Sequence, residues 1–336
     1  MNRMATRRSM VALFAVCTLL LAACSDTGGA QEEAGGGGGG GGSGGVDTER
    51  ITIAMVTHQA PGDTFWDLVR DGAIVAAEKN NVELNYSNDP SSSSQANLVQ
   101  NAIDQGVDGI ALTLAFPQAV GPVAQAAVDA GIPVVAFNSG LDNWKDFGIP
   151  MYFGQDEKIA GAAAAERLNQ EGAKHVVCIN QEQGHVALEA RCSGVQENFE
   201  GQSEALFVNG TDMPSVQSSI TAKLQEDSSV DTVLALGAPF AMTALQAVEA
   251  ANSEAQVVTF DLNDQVLQAI QGEEIPWAIN QQPFVQGYEA IDALWLTVTQ
   301  SRSVGGGEPV LTGPSFVDQS NVDGFIQGGA SEAASE

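Results

Sequence analysis

Side chains that can bind a small polar molecule follow directly after four of the strands that the sequence predicts. They are carboxylates, amides and aromatic rings, with one histidine and one serine: His58, Gln59, Asp63, Phe65, Trp66, Asn138, Ser139, Asp261 and Gln281. Carboxylates and amides pair with hydroxyl groups, and a flat ring packs against the C–H face of a sugar. Such a set is typical of a binding site for a sugar or a polyol.

Four of these side chains also have a purely structural interpretation. Phe65 suits a hydrophobic core, and Asp63 suits the cap of the helix that follows it. Asn138 and Asp261 suit turns, since short polar side chains bond to the nearby backbone. The sequence leaves both interpretations open at these positions.

Motifs for catalysis or for a cofactor are not found in the sequence. There is no G-x-S-x-G elbow, and the glycine run at residues 35–42 satisfies G-x-G-x-x-G without the strand and helix that a nucleotide site needs. His58, His175 and His185 lack metal-ligand spacing with the cysteines. We therefore expect a binding protein without cofactor or metal, and not an enzyme.

Strands alternate with helices along the body of the chain, in units of about 25–30 residues. β-rich runs such as Ile51–Thr57, His175–Asn180 and Gln256–Phe260 are each followed by a stretch with helical periodicity. This order predicts parallel sheets with helices on both faces, an α/β fold. About ten strands approach the practical limit for one sheet, so we expect two lobes, with the ligand beyond the carboxyl ends of the strands.

The first residues indicate export and lipidation. Arg3, Arg7 and Arg8 precede an apolar run at residues 10–21 that is too short to span a bilayer, as in a signal peptide. The run ends in Leu-Ala-Ala-Cys, which resembles the bacterial lipobox, so Cys24 is predicted to carry lipid. The paired arginines also loosely resemble a twin-arginine signal, which leaves the export route open. The glycine-rich stretch that follows predicts a flexible tether.

The acidic composition limits the possible partners. Three of the 13 basic residues lie in the signal peptide, so the mature chain has 42 acidic residues against 10 basic ones. Nucleic acid requires a basic face on its partner, so we expect no nucleic-acid partner. The same charge argues against attachment to anionic lipid, and the acidic surface is interpreted as solubilising.

Two of the four cysteines remain for a disulfide in an oxidising compartment, because Cys17 leaves with the signal and Cys24 carries lipid. Cys178 lies near the end of its strand, and Cys192 lies inside the returning helix. Their depths below the sheet edge are similar, at about 7 and about 9 Å. This predicts a bond between Cys178 and Cys192.

Several segments together resemble the periplasmic sugar-binding proteins of the ribose-binding type, which feed ABC importers. The resemblance covers residues 50–322 and rests on order and spacing. The segments that carry it are IAMV at 53–56, DTFW at 63–66, DGA at 71–73, GIPVV at 131–135, ARCSG at 190–194, VVTFD at 257–261 and INQQP at 279–283. The resemblance implies a two-lobed fold with a ligand cleft between the lobes.

By position, the resemblance also implies roles for single residues. Phe65 and Trp66 would sandwich the ring of a sugar, with Asp63 beside them where the family has asparagine. Asn138 stands where the family usually has aspartate, and Ser139 stands where it usually has arginine. These two departures reduce the charge that the family directs at its ligand.

Three further positions match the family pattern. Arg191 corresponds to a sugar-binding arginine, Asp261 to a sugar-binding aspartate, and Gln281 to a glutamine beside the hinge. An asparagine–aspartate pair of the family is replaced by Gly237-Ala238, so ribose is not the expected ligand.

An insertion near the predicted site suggests where replacement contacts come from. Two extra residues precede Asp63 relative to the family pattern. They bring His58 and Gln59 near the pocket as candidate ligand contacts.

The resemblance implies an extracytoplasmic protein that captures a monosaccharide or polyol by hinge closure and delivers it to the permease and ATPase of an ABC importer. It implies a monomer, held by lipid at the outer face of the cytoplasmic membrane, whose chain crosses between lobes near Gln155, Gln281 and Pro314. Presentation of a small signal molecule to a membrane receptor stays open as an alternative. The predicted parts are a signal peptide at 1–23, a lipidated tether at 24–49, one lobe at 50–155 and 282–313, the other at 156–281 and 314–323, and a tail at 324–336.

Replacement of Cys24 should release the protein from the membrane. The Cys24→Ser variant is expected to fold normally and to appear in the soluble fraction, because acyl chains rather than charge hold the protein. Membrane fractionation measures this, with mass spectrometry of the mature N-terminus. A processed Cys24→Ser protein that still sediments with membranes would contradict the lipid anchor.

Overall fold

The computed structural model describes residues 49–326, and the fold below refers to this range. The predicted signal peptide, the predicted lipidation at Cys24 and nearly all of the predicted tether lie outside it, as does the end of the predicted tail. Within the described range, no helix has both the length and the apolar character to cross a membrane.

Strands and helices alternate from the start of the described chain. The first elements are β1 (Ile51–Thr57), α1 (Phe65–Lys79), β2 (Val82–Asn88), α2 (Ser92–Gln105), β3 (Gly109–Leu112), α3 (Pro117–Asp129), β4 (Val134–Phe137) and β5 (Met151–Gly154). A second series follows with α4 (Glu157–Glu171), β6 (His175–Asn180), α5 (Val186–Asn198), β7 (Gln202–Phe207), α6 (Met213–Glu226), β8 (Thr232–Ala235), α7 (Ala238–Ala251), β9 (Gln256–Phe260), α8 (Asp264–Gln271) and β10 (Trp277–Asn280). The last elements are α9 (Pro283–Gln300), β11 (Val310–Leu311) and β12 (Ser315–Asp318).

The strands form two six-stranded sheets with matching topology. The first sheet has the order β11-β5-β4-β3-β1-β2, and all its pairs are parallel. The second has the order β12-β10-β9-β8-β6-β7, in which β12 alone runs antiparallel to its neighbour. Each sheet with its helices is called a lobe below, first and second. The predicted two-lobed α/β fold is confirmed, while the lobe boundaries given above remain predictions.

Strand β1 shows why the apolar runs are continuous rather than alternating. Ile53 and Met55 pack into the core on one face of the first sheet, and Ala54 and Val56 pack into the core on the other face. Helices therefore cover both faces of this sheet, as a buried parallel sheet requires. The second sheet is likewise buried on both faces.

Glycines allow α1 and α9 to approach closely at the first lobe. A Cβ atom at Gly72 would collide with the carbonyl oxygen of Phe284, and one at Gly287 would collide with that of Val69. Because both sites meet backbone rather than a movable side chain, only glycine fits. This contact holds α9 on the first sheet, although α9 follows the last parallel strand of the second.

Three elements begin earlier than their sequence patterns predict. Helical periodicity predicts a helix over Gln95–Gln105 with a start signal in the serines at 91–94, and α2 begins inside that signal, at Ser92. The pattern predicts a helix over Phe240–Ala251, but α7 begins at Ala238 because proline is tolerated in the first turn, where its missing N–H is not needed. The pattern also predicts a strand over Ala205–Val208, but β7 begins at Gln202, since it is a half-exposed edge strand with weak alternation.

Cys178 in β6 and Cys192 in α5 form a disulfide, as predicted, with their Cα atoms 5.9 Å apart. Both cysteines are buried in the core between the second sheet and helices α4 and α5. The bond fixes the middle of α5 against β6, the strand from which the chain enters the cleft.

Removal of this disulfide should lower the stability of the protein. The Cys178→Ala/Cys192→Ala double variant frees a loop that spans a sequence separation of 14. We expect a loss of about 3 kcal/mol in the free energy of unfolding. Urea denaturation measures it, and reductant should weaken the wild type but leave the double variant unchanged. Two free thiols in exported, unreduced wild-type protein would contradict the bond.

Candidate ligand-binding site

Eight of the ten predicted contact residues line one cleft between the two lobes. Loops after β1 and β4 form one wall, and loops after β6, β8 and β9 with the start of α5 and α7 form the other. The eight residues are His58, Asp63, Phe65, Trp66, Asn138, Arg191, Asp261 and Gln281. The carboxyl ends of both sheets therefore meet at this cleft, as the topology requires.

Gln59 and Ser139 do not line the cleft but hold residues that do. The amide nitrogen of Gln59 donates to the backbone oxygen of Asp63 at 3.1 Å, and its oxygen accepts from the hydroxyl of Tyr86. The buried hydroxyl of Ser139 donates to Asn138 Oδ1 at 2.7 Å. Both side chains are occupied by these intramolecular bonds, which explains why they do not reach the cleft.

Asn138 and Asp261 occupy equivalent positions in the two lobes. Both have positive φ, 63° and 67°, a conformation that short polar side chains tolerate better than most. The N–H of each donates at 2.8 Å to the next strand of its sheet, to Phe153 O and to Ile279 O respectively. The structural and binding interpretations are thus compatible, because the same turn directs each side chain to the cleft.

Gln281 joins these two loops by hydrogen bonds. Its amide nitrogen donates to Asp261 Oδ1 at 2.7 Å, and its amide oxygen accepts from Asn138 Nδ2 at 3.2 Å. Gln286 supports the arrangement by donating to Gln281 Oε1 at 3.0 Å. A continuous chain of polar side chains therefore runs from the first lobe to the second where the chain crosses between them.

Arg191 is held by a buried partner that the sequence analysis missed. Glu157, at the start of α4, accepts from both Nε and Nη2 of Arg191, the latter at 3.0 Å. Gln155 donates to the same carboxylate at 2.8 Å. The Arg191–Asp261 contact is longer, at 3.7 Å, so Glu157 is the main partner of this arginine. Burial by itself lowers the pKa of Arg191. The Glu157 carboxylate raises it by more than burial lowers it, so the pKa lies above its usual value and the arginine stays charged.

The aromatic residues are not arranged as a sandwich. The rings of Phe65 and Trp66 touch edge to face, with centroids 5.1 Å apart and planes at 86°, which leaves no space between them for a sugar ring. Trp66 is only 3% exposed and packs against His58. Phe65 is half-buried and can offer one face, and Phe240 of α7 lines the opposite wall.

Two histidines connect the lobes directly. His185 caps α5 by accepting at Nδ1 from the N–H groups of Ala187 and Leu188, so the proton of its neutral ring lies on Nε2. That proton points to Nε2 of His58 at 2.9 Å, which places the proton of His58 on Nδ1, toward Thr113 Oγ1. Burial lowers the pKa of His58 to about 3 and that of His185 well below its usual value.

A cluster that could hold a metal coincides with this histidine pair. Ligand atoms of His58, Glu182 and His185 lie within 4.8 Å of one another. However, the cap of α5 uses the only lone pair that neutral His185 has, since its Nε2 carries the proton. A metal at Nε2 would therefore break the cap, and the geometry favours the hydrogen bond.

Three carboxylates face the cleft, one of which was not predicted. Asp63, which precedes the N-cap Thr64, also accepts from the N–H of Phe65, the first residue of α1, at 3.1 Å. Burial raises the pKa of Asp63 and of Asp261 to about 6 each. Burial, and then the charge of Asp63, raises the pKa of Glu182 to about 7. Glu182 follows β6 closely, and this position could have suggested a place at the cleft. However, it lies in a polar loop, and nothing in its spacing distinguishes it from the neighbouring polar residues.

A model of the periplasmic binding protein domain matches residues 53–300. The chain belongs to this family. A carbohydrate transporter from Acidothermus cellulolyticus, solved in complex with myo-inositol, is 56% identical, with a TM-score of 0.82 over 83% of this chain and 98% of that one. A solute-binding protein from Burkholderia graminis, in complex with D-arabinose, is 22% identical with a TM-score of 0.72 over 81% of this chain and 96% of that one, and shares the fold.

A curated relative is more distant but similar over a long segment. The xylose/arabinose-binding protein XylF of Sulfolobus acidocaldarius is 24% identical over 262 residues, which is 71% of this chain and 63% of the relative. The matched segment thus spans less than two thirds of that relative's length.

Loss of the Glu157 carboxylate should destabilise this periplasmic binding protein. Glu157→Gln leaves Arg191 buried without its opposite charge, and breaking a buried pair in this way costs about 3–5 kcal/mol. Chemical denaturation measures the effect. The matched control is Glu197→Gln, which removes an exposed partner of Lys158 at 2.9 Å and should change stability little. Equal effects in the two variants would contradict the role given to Glu157.

Proposed function

We propose that this chain is the extracytoplasmic solute-binding protein of an ABC importer and that it captures a cyclic polyol or monosaccharide, with myo-inositol as the first candidate. The observation that carries the proposal is the polar cleft, together with the 56% identity to a protein in complex with myo-inositol. The lining offers carboxylates, amides, one arginine and aromatic faces, which is what a polyhydroxylated ring needs. The proposed role is binding and delivery, not catalysis.

Asp261 is the proposed centre of recognition. Its carboxylate accepts from Gln281 and retains capacity for neighbouring hydroxyl groups of a ligand, through charge-assisted bonds that are stronger than neutral ones. Arg191 Nη1 lies 3.7 Å from it and can donate to the same ligand. Asn138 approaches from the first lobe, so one ring can contact both lobes at once.

Such contacts with both lobes favour the closed form, which is how hinge closure traps a ligand. The proposed hinge consists of the three crossings near Gln155, Gln281 and Pro314. Two of them are bonded together, since Thr312 Oγ1 donates to the backbone oxygen of Gln281 at 2.7 Å. This link supports a hinge whose segments move as one unit.

The proposed partners follow from the family and from the N-terminal sequence. A permease and its ATPase would receive the ligand, and lipid on Cys24 would keep the protein at the membrane. A flexible tether of about 25 residues would hold the body roughly 25–30 Å away on average, a distance that leaves the cleft accessible to the medium.

Calorimetry with myo-inositol tests the proposal. We expect saturable binding, and at a hundred times its dissociation constant the ligand should add about 2.7 kcal/mol to the stability of the protein. Asp261→Ala should weaken binding about 30- to 1000-fold, because ligand hydroxyls lose a charged acceptor in a buried site. If Asp261→Ala melts early but binds normally, Asp261 acts only in its turn. If neither myo-inositol nor any tested pentose or hexose binds, the proposed function is wrong.

A further inference from the structure

The cleft contains more negative than positive charge. Asp63, Glu182 and Asp261 line it, and Arg191 is the only lysine or arginine among the described residues that line it. This arginine already pairs through both Nε and Nη2 with Glu157, which is itself buried. The positive charge of Arg191 is therefore largely neutralised by Glu157, which does not line the cleft. The three carboxylates have no comparable positive partner among the described residues that line it.

The two histidines do not supply the missing positive charge. The bonding pattern from the α5 cap through His185 and His58 to Thr113 requires one proton on each ring, which makes both rings neutral. A second proton on either ring would place two N–H groups against each other or against the cap. The histidine pair thus contributes polarity but no charge.

Helix N-termini offset only part of the remaining charge. Helices α1, α5 and α7 all begin at the cleft, and each N-terminus is equivalent to about half a positive charge at most. At α5 the side chain of His185 already occupies two of the free N–H groups. Even the three N-termini together fall short of three carboxylates, so the cleft keeps a negative charge that protons or a bound cation can neutralise.

Asp63 and Glu182 bring two carboxylates to the cleft, one from each wall. Burial first, and then the charge of Asp63, raises the pKa of Glu182, so the two carboxylates repel each other. Glu182 Oε2 lies 4.0 Å from Nε2 of His185, which is beyond hydrogen-bond distance. Gln181 precedes Glu182 on the same wall, and its buried amide oxygen accepts no hydrogen bond from the described residues. Glu182 and Gln181 therefore keep unused acceptor capacity on the wall opposite Asp63.

We propose that the ligand carries a positive charge, as an amino-substituted cyclic polyol does, and that its ammonium group binds between Asp63 and Glu182. An ammonium group has three donors and no acceptor, which fits a site made of acceptors. A hydroxyl has a single donor and brings no charge, so it leaves the repulsion between the two carboxylates in place. This inference rests on the proposed function, because it assigns the ligand class of the same cleft.

The test compares two ligands on the full chain by calorimetry: myo-inositol and a mono-amino-deoxy derivative of it. The amine should bind at least tenfold more tightly near neutral pH, a difference of about 1.4 kcal/mol. Asp63→Asn and Glu182→Gln should each reduce this affinity ratio toward one, whatever they do to the absolute affinities. The matched control is Glu78→Gln, which removes an exposed carboxylate of α1 outside the cleft and should leave the ratio unchanged.

The pH dependence of the ratio separates a charge effect from a structural one. Burial raises the pKa of Asp63 to about 6, and burial with the Asp63 charge raises that of Glu182 to about 7. Protonation of these groups removes the attraction for an ammonium ion, so the ratio should begin to fall as the pH is lowered below about 7 and should be largely lost below about 6. A variant could lose its preference for the amine simply because it is unfolded, which its melting curve would show. The pH dependence is measured on the folded wild type, so unfolding of a variant cannot explain it.

The outcomes distinguish the two proposals. If myo-inositol binds as tightly as its amine or more tightly, this inference is overturned and the proposed function stands. If neither compound binds, the proposed function loses its first candidate ligand, and the same comparison between glucose and glucosamine decides the charge preference. A ratio that exceeds ten but does not change with pH or with either substitution would also overturn the assignment to Asp63 and Glu182.

Discussion

The buried ion pair between Glu157 and Arg191 connects a crossing between the two lobes to the cleft. Glu157 begins α4 two residues after Gln155, where the chain crosses between the lobes, and Gln155 donates to its carboxylate. Arg191 projects from α5 and stacks over the ring of Phe260, 4.8 Å away, directly before Asp261. One ion pair thus fixes α4, α5 and the end of β9 relative to one another. Any rearrangement of these elements would have to preserve this pair or expose two charges that are now almost fully buried.

Parallel sheets impose the second constraint, because all their carboxyl ends lie at one edge. The chain builds two such sheets with matching strand order and joins them by short crossings, so the two edges face each other. The loops at these edges can therefore be short and still place their side chains at the cleft. His58, Asn138 and Asp261 each follow their strand immediately, which keeps their side chains close to rigid backbone. The precision of the cleft therefore comes from the sheets rather than from the loops.

Much of this arrangement could be predicted from the sequence because its signals are local. Apolar runs, helical periodicity and the residues directly after each strand gave the two-lobed fold and eight of the cleft residues. What could not be predicted depends on contacts between distant segments. Glu157 and Arg191 are 34 positions apart, and no spacing rule links them. His185 was not among the predicted contact residues, because its role depends on where His58 lies across the cleft.

The orientation of side chains could not be predicted from the sequence either. The family resemblance implied a sandwich of Phe65 and Trp66, but successive residues of a helix project about 100° apart and cannot face each other across a ligand. Trp66 lines the cleft but is almost fully buried and packs against Phe137, whereas Phe65 is more exposed there. Likewise, Ser139 is fully buried, and its hydroxyl donates to the side chain of Asn138 instead of facing the cleft. Position after a strand selects candidates, while packing decides which of them reach the ligand.

The symmetry of the two lobes shows where ligand identity is determined. Asn138 and Asp261 have the same backbone conformation and the same bond to the neighbouring strand, yet one side chain is neutral and the other is a carboxylate. The fold supplies the matching geometry, and the sequence then makes the lobes chemically unequal. Arg191, Glu182 and Asp261 all belong to the wall of the second lobe, whereas the first lobe contributes aromatic surface, the amide of Asn138 and the single carboxylate of Asp63. Because the scaffold is shared by proteins with different ligands, such departures from symmetry, rather than the fold, must determine which ligand is bound.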